Sequence, residues 1–335
     1  MRKQGPPMVN GTLTPESHSL TRLANRVRLA PHESRMKAVT VQPDLFQGSP
    51  LRETTSLRND REIMSYPFFT LGKNPVHEAR ESRWVEDDGK EVYIRLSPGE
   101  DGLPTTWDLD TLIYVQTVYI TAINRGEPVS NRIQFQISDC LKTIRRGNGG
   151  RDYDNFLQSV KRLKGTTVYT NVTSSDEVVD TGFGWIQSFR IVRRKSTKSG
   201  VDEMAACEIV LCDWLYNAII KGERVLQFDA EYFELDSGLH RKMYQIIRRH
   251  IGQSSAWHVG IDKLQMKTGS TTERRKFIYD IKEMIAKDPF PLWSLHLSTD
   301  PRGPSFGGAV VPPKAGGRAP MYLYVYRRSL RLVGS

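Results

Sequence analysis

Residues Trp257–Asp288 read WHVGIDKLQMKTGSTTERRKFIYDIKEMIAKD. The spacing predicts a short helix, a tight Lys-Thr-Gly-Ser turn and a longer helix. In the second helix Phe277, Ile278, Ile281, Met284 and Ile285 recur at helical spacing on one face. The other face carries Thr272, Arg275, Lys276, Tyr279 and Lys282. Ser270, Thr271 or Thr272 supplies a cap, since short hydroxyl side chains accept from the free N–H groups of a helix start. A helix, a Gly-containing turn and a second helix with a basic face form a helix-turn-helix, whose second helix enters the DNA major groove. Downstream, WSLHLS (Trp293–Ser298) and MYLYVYRR (Met321–Arg328) alternate as hairpin strands do. The unit therefore reads as a winged helix.

An earlier stretch repeats the order. Leu109, Leu112, Ile113, Val115, Val118, Tyr119 and Ile123 form the apolar stripe of a helix that ends at Gly126. IQFQIS is a strand, followed by a short helix and the loop RRGNGG (Arg145–Gly150). A second basic helix spans Arg151–Lys164, with Tyr153, Phe156, Leu157, Val160 and Leu163 inward. Arg151, Asn155, Gln158 and Arg162 face outward, flanked by Lys164. Arg suits guanine, Asn and Gln suit adenine, and Lys suits phosphate. Thr166–Thr170 starts a hairpin whose return is Gly184–Ser196, with Arg193 and Arg194 at its tip. Ahead of this unit, Trp84–Val85 and Val92–Leu96 flank an Asp88-Gly89 turn, a strong hairpin signal. Behind it, Ala206–Leu211 reads as a strand and Trp214–Lys221 as a short helix stopped by Gly222. In the helix Ser237–His250, Leu239, Met243, Ile246 and Ile247 point inward and Arg241, Lys242, Arg248 and Arg249 outward.

The expected fold is α+β: two tandem winged-helix domains, 61–222 and 223–335, behind a disordered basic tail, 1–60. The tail carries Arg22, Arg26, Arg28, Arg35 and Lys37 among small polar residues. Residues 299–320, rich in Gly and Pro, read as a long wing loop. The chain of 335 residues has a net charge of +10, which points to a polyanion partner. No apolar run approaches the roughly 20 residues that span a bilayer. Cys140, Cys207 and Cys212 form no C-x-x-C pair and read as reduced core thiols of a cytoplasmic protein. No metal or cofactor is expected.

Four stretches carry a family resemblance: DLDTLIYVQTVYITAINRGE (Asp108–Glu127), VKRLKGTTVYTN (Val160–Asn171), CEIVLCDWLYNAII (Cys207–Ile220) and IIRRHIGQSSAWHVGIDKLQMKTGS (Ile246–Ser270). On these the chain resembles the replication initiator protein A family of bacterial plasmids, over roughly Ile63–Arg328. The resemblance implies tandem winged helices that bind repeated double-stranded sites at a plasmid origin. It also implies origin opening and recruitment of the host replication initiator and replicative helicase. A monomer–homodimer equilibrium, with the dimer repressing its own promoter, is implied as well.

Catalytic motifs are missing. Rolling-circle nicking needs a tyrosine with a His-apolar-His metal pair, and His296 stands alone in WSLHLS. The phosphate loop G-x-x-x-x-G-K-[ST] does not occur. Gly182 and Gly184 lack the third glycine of a dinucleotide loop. The expected activity is therefore non-enzymatic, sequence-specific DNA binding. Thr271, Thr272, Arg275, Lys276 and Tyr279 would read one groove segment. Arg151, Asn155, Gln158 and Arg162 would read another, and Lys164, Arg193, Arg194, Lys267 and Arg274 would hold phosphates. Two alternatives share the fold. One is a transcriptional regulator without initiator activity. The other is an interaction module in which the hairpin Trp84–Leu96 pairs edge to edge and the Arg151–Arg162 face is merely solvated.

Overall fold

Three strands, three helices and one strand order recur in the two halves of the chain. The computed structural model describes residues 57–86, 88–172, 179–195, 200, 202–221, 225–300 and 320–328. Residues 1–56 of the basic tail, most of the Gly/Pro-rich insert and Gly222 lie outside them, while the last four tail residues, expected to be disordered, form a strand.

In the C-terminal half the order is α6 (Gly238–Ile251), β10 (Ala256–Gly260), α7 (Ile261–Thr268), α8 (Arg274–Lys287), β11 (Trp293–Ser298) and β12 (Tyr322–Arg327). The three strands form an antiparallel sheet in the order β10-β12-β11, with Trp293 opposite Arg327 and Val259 opposite Leu323. Trp257–Gly260, expected to start a helix, is strand: β10 runs straight into α7, with Gly260 as its extended N-cap. The longer helix begins later than the hydroxyl residues suggested, because Glu273 is the N-cap and makes no side-chain capping bond. Ser270, Thr271 and Thr272 occupy the turn instead.

In the N-terminal half the order is α2 (Leu109–Asn124), β4 (Arg132–Gln136), α3 (Ile137–Thr143), α4 (Gly150–Gly165), β7 (Ile186–Lys195) and β8 (Asp202–Leu211). Its sheet is ordered β4-β8-β7, the same pattern of first strand beside last. The hairpin partner of β7 is thus β8, not Thr166–Thr170. That segment, β5 (Thr167–Thr170), pairs with β6 (Thr181–Phe183) and with β3 (Glu91–Ser97). With β2 (Arg80–Val85) these make a four-stranded sheet, β2-β3-β5-β6. The β2–β3 hairpin forms as its Asp-Gly signal predicts, with Gly89 at φ 84°. Tyr66–Leu71 forms no strand and contributes the isolated bridge Thr70–Thr105.

The two halves are laced together. β1 (Leu57–Asp60) pairs with β9 (Val225–Phe228), in the register Asn59 to Leu226. The short helix α1 (Arg61–Ser65), capped by the Asp60 carboxylate, packs on α6. α5 (Asp213–Lys221) leads from β8 toward β9. One continuous apolar cluster runs from Ile63 and Phe68 through Trp185 to Met243, Phe277 and Leu323. Phe68 meets Trp185 edge-on at 5.5 Å, and Phe183 stacks on Trp214 at 4.9 Å. Cys140, Cys207 and Cys212 are buried in it, and burial pushes the Cys207 and Cys212 thiols up to about 12. Among the described residues no helix is long and apolar enough to cross a membrane.

Candidate nucleic-acid interface

α8 buries Phe277, Ile281 and Met284 and turns Arg275, Lys276, Tyr279 and Lys282 to solvent. Its amphipathic spacing places them there, one stripe to each side of the helix. Arg275 makes no ion pair among the described residues. Lys276 donates to Asp280 at 2.6 Å, one turn on, and lies 4.7 Å from the centre of the Tyr279 ring. Tyr279 itself is 54% exposed, high for so large an apolar surface. Thr271 and Thr272 are exposed just ahead of the helix. Their turn is held by Gln265, which donates to the Thr272 carbonyl at 2.6 Å, and by a hydroxyl contact from Ser270 to Thr272 at 2.9 Å. Gly269 caps α7 at φ 72°, and a Cβ there would stand 2.7 Å from Pro67. The turn is therefore pressed against the N-terminal half.

Arg274 and Lys267, expected at phosphates, have partners within the protein. Arg274 pairs with Asp262 on α7 at 2.5 Å and joins the two helices. Lys267 is buried, 3.1 Å from Glu86 at the end of β2 and 4.9 Å above the Tyr66 ring. It fastens α7 to the β2–β3 hairpin.

α4 shows the same division. Arg151, Asn155, Gln158 and Lys164 are exposed, while Phe156, Val160 and Leu163 are buried. Arg162, expected on the outer face, turns back to chelate Asp108 with bonds of 2.8 and 2.7 Å. The loop into α4 is shaped by Asp152, which accepts from the Gly149 amide at 3.1 Å. A Cβ on Gly147 would lie 2.5 Å from that same carboxylate and would displace it. Arg193 and Arg194 are exposed near the end of β7, opposite Met204 and Glu203.

Sequence reasoning missed the charged residues that join the halves. Arg241 and Lys242 of α6, expected outside, are both buried. Arg241 donates to both oxygens of Asp110, at 2.8 and 2.9 Å, and to the carbonyls of Leu235 and Phe233. Its guanidinium lies 5.3 Å from the Trp107 ring and 5.1 Å from that of Tyr232. Arg146 donates to the same Asp110 at 2.8 Å. Lys242 donates to the carbonyls of Ile63, Met64 and Tyr66, at 3.0, 3.1 and 2.6 Å, and so satisfies the end of α1. A trace of this was readable for Lys242. At 100° per residue it falls at the edge of the arc of Leu239, Met243 and Ile246, about 40° from Ile246. Arg241 lies opposite that arc, and its burial follows from Asp110 and Trp107 of the other half together with the Tyr232–Leu235 turn.

The replication initiator protein A family model matches residues 58–295. A candidate replication protein of Wigglesworthia glossinidia brevipalpis is 29% identical over 246 residues, covering 73% of this chain and 86% of that one. Two crystal structures of domains 2 and 3 of RctB share the fold. The first has a TM-score of 0.52 at 14% identity, covering 80% of this chain and 96% of the other. The second has a TM-score of 0.50 at 12% identity, covering 80% and 97%. The family match takes in both helix-bearing halves and the charged joint between them, and the chain belongs to the replication initiator protein A family.

Proposed function

We propose that the protein is a non-enzymatic, sequence-specific DNA-binding initiator whose two halves are winged helices. In this reading α8 and α4 enter successive major-groove segments of a repeated origin site, and the hairpins β11–β12 and β7–β8 act as wings. The observation that carries it is the duplicated arrangement, in which a helix, strand, helix, polar-faced helix and hairpin occur twice with one strand order. In each copy the exposed third-helix face offers the side chains suited to base edges and phosphates: Arg275, Lys276 and Tyr279 in one, Arg151, Asn155 and Gln158 in the other. Thr271, Thr272, Lys164, Arg193 and Arg194 are exposed where phosphates would pass. Arg162, Lys267 and Arg274 hold these elements in place rather than touching DNA. Origin opening, recruitment of the host initiator and helicase, and a repressing homodimer belong to the same proposal and rest on the family membership.

The test is anisotropy binding to duplexes tiled across the DNA flanking the gene, against scrambled duplexes, at two salt concentrations. Tight binding to spaced direct repeats supports the initiator. Binding to a promoter palindrome alone supports a regulator. Equal, strongly salt-dependent binding to every duplex removes sequence readout from the proposal.

A further inference from the structure

Two carboxylates at the start of α2 grip both ends of α4 and the other half of the protein. Asp108 and Asp110 stand two residues apart and are both buried. Asp108 holds Arg162, in the last turn of α4. Asp110 holds Arg146, in the loop that leads into α4, and Arg241 of α6. Arg145, next to Arg146 and at φ 55°, pairs with Glu234 in the turn before α6. On the far side of α6, Met243, Ile246 and Ile247 join the same apolar cluster as Phe277 and Ile281 of α8. A chain of directional contacts thus links α4 to α6, which packs on α7 and through it reaches α8. An apolar joint can slide, whereas buried hydrogen-bonded charges tolerate only one register.

We propose that Asp110 is a positioning residue for DNA recognition, which fixes α4 relative to α8 so that a bipartite site is accepted at one spacing and helical phase. This rests on the reading of α4 and α8 as the DNA-contacting helices. Inserting one base pair between two half-sites moves the second by about 3.4 Å and turns it by roughly 35°. A fixed joint cannot follow that movement, and a loosened one can.

The experiment uses the full chain and duplexes with one or two base pairs added to or removed from the centre of the footprint. A further duplex keeps only the half bound by α8. The wild-type protein is expected to lose about tenfold or more in affinity at each one-base-pair change, as for a lost base contact. Asp110→Asn and Arg146→Gln are expected to flatten that dependence to about two- to threefold, with binding to the half-site duplex unchanged. Arg146 is partly exposed, so Arg146→Gln decides the matter if Asp110→Asn does not fold. A folded variant that keeps the wild-type spacing profile overturns the proposal. So does one that loses affinity by one factor at every spacing. Wild-type binding that is specific yet indifferent to spacing also overturns it. Failure of the wild type to prefer any duplex sinks instead the reading on which the proposal rests.

Discussion

One terminal nitrogen of Arg241 bonds both carboxylate oxygens of Asp110, across 131 residues of sequence and in a site closed to solvent. The pair sits where α2 of one half meets α6 of the other. Removing one partner from a buried ion pair leaves an uncompensated charge, and Asp110 answers two guanidinium groups at once. Asp110→Asn is expected to destabilise the fold by about 3–5 kcal/mol, seen as a lower urea midpoint. A midpoint near wild type would show that the pair contributes little.

Gly238, the first residue of α6, lies against the Leu71 carbonyl, and an added Cβ would stand 1.9 Å from that oxygen. The backbone cannot swing aside as a flexible side chain could. Gly238→Ala should therefore separate α6 from the N-terminal half and lower stability by roughly 2 kcal/mol or more. Thermal melts of the two proteins would settle it, and equal melting temperatures would contradict the close approach.

Arg162 and Arg151 share one helix but differ in what they touch. Arg162→Ala removes the chelate with Asp108 and should cost roughly 2–3 kcal/mol of stability. Arg151→Ala, at an exposed site, should leave stability within about 0.5 kcal/mol. If α4 reads DNA, Arg151→Ala lowers affinity by about 1–3 kcal/mol. Denaturation and anisotropy on the same samples separate the two roles. Arg151→Ala binding as well as wild type would remove this residue from the interface.

His250 stacks on Trp257 at 4.9 Å with planes 7° apart. Burial, then repulsion from Lys267 and Arg249, lowers its imidazole from 6.5 to about 4. The folded value lies below the unfolded one, so between them the unfolded chain binds the extra proton. Stability contributed by neutral His250 is complete above about pH 6.5 and is lost as pH falls toward 4. The slope approaches about 1.4 kcal/mol per pH unit and flattens below 4. His250→Gln should reduce the acid slope of the melting temperature. An unchanged slope would assign acid sensitivity to other groups.

Much of this architecture was legible where the signal is local. The stripe of Phe277, Ile281 and Met284, the Asp88-Gly89 turn and the stop at Gly126 each depend on neighbours within a few residues. Strand partnership does not. β5 and β7 both read as wing strands, and only the sheet formed by β2 and β3 decides that β5 leaves to join it. β10 escaped notice because five residues of strand pass without a break into α7, so the helical period reads as starting early. In the interface, exposed residues such as Arg275 and Asn155 followed from helix phase. The inward turns of Arg162, Lys267 and Arg241 followed from Asp108, Glu86 and Asp110, each distant in sequence.

The pairing of β1 with β9 has a consequence for how the protein is made. Asn59 leaves the ribosome about 167 residues before its partner Leu226, and Asp110 emerges well ahead of Arg241. At roughly 5–20 residues per second, the first half waits on the order of ten seconds with an open strand edge and a carboxylate lacking its main counter-charge. A fragment that ends before β9 keeps both defects permanently. Such fragments are material for chaperones and proteases, and the protein reaches its native state only after translation has passed the midpoint of α6.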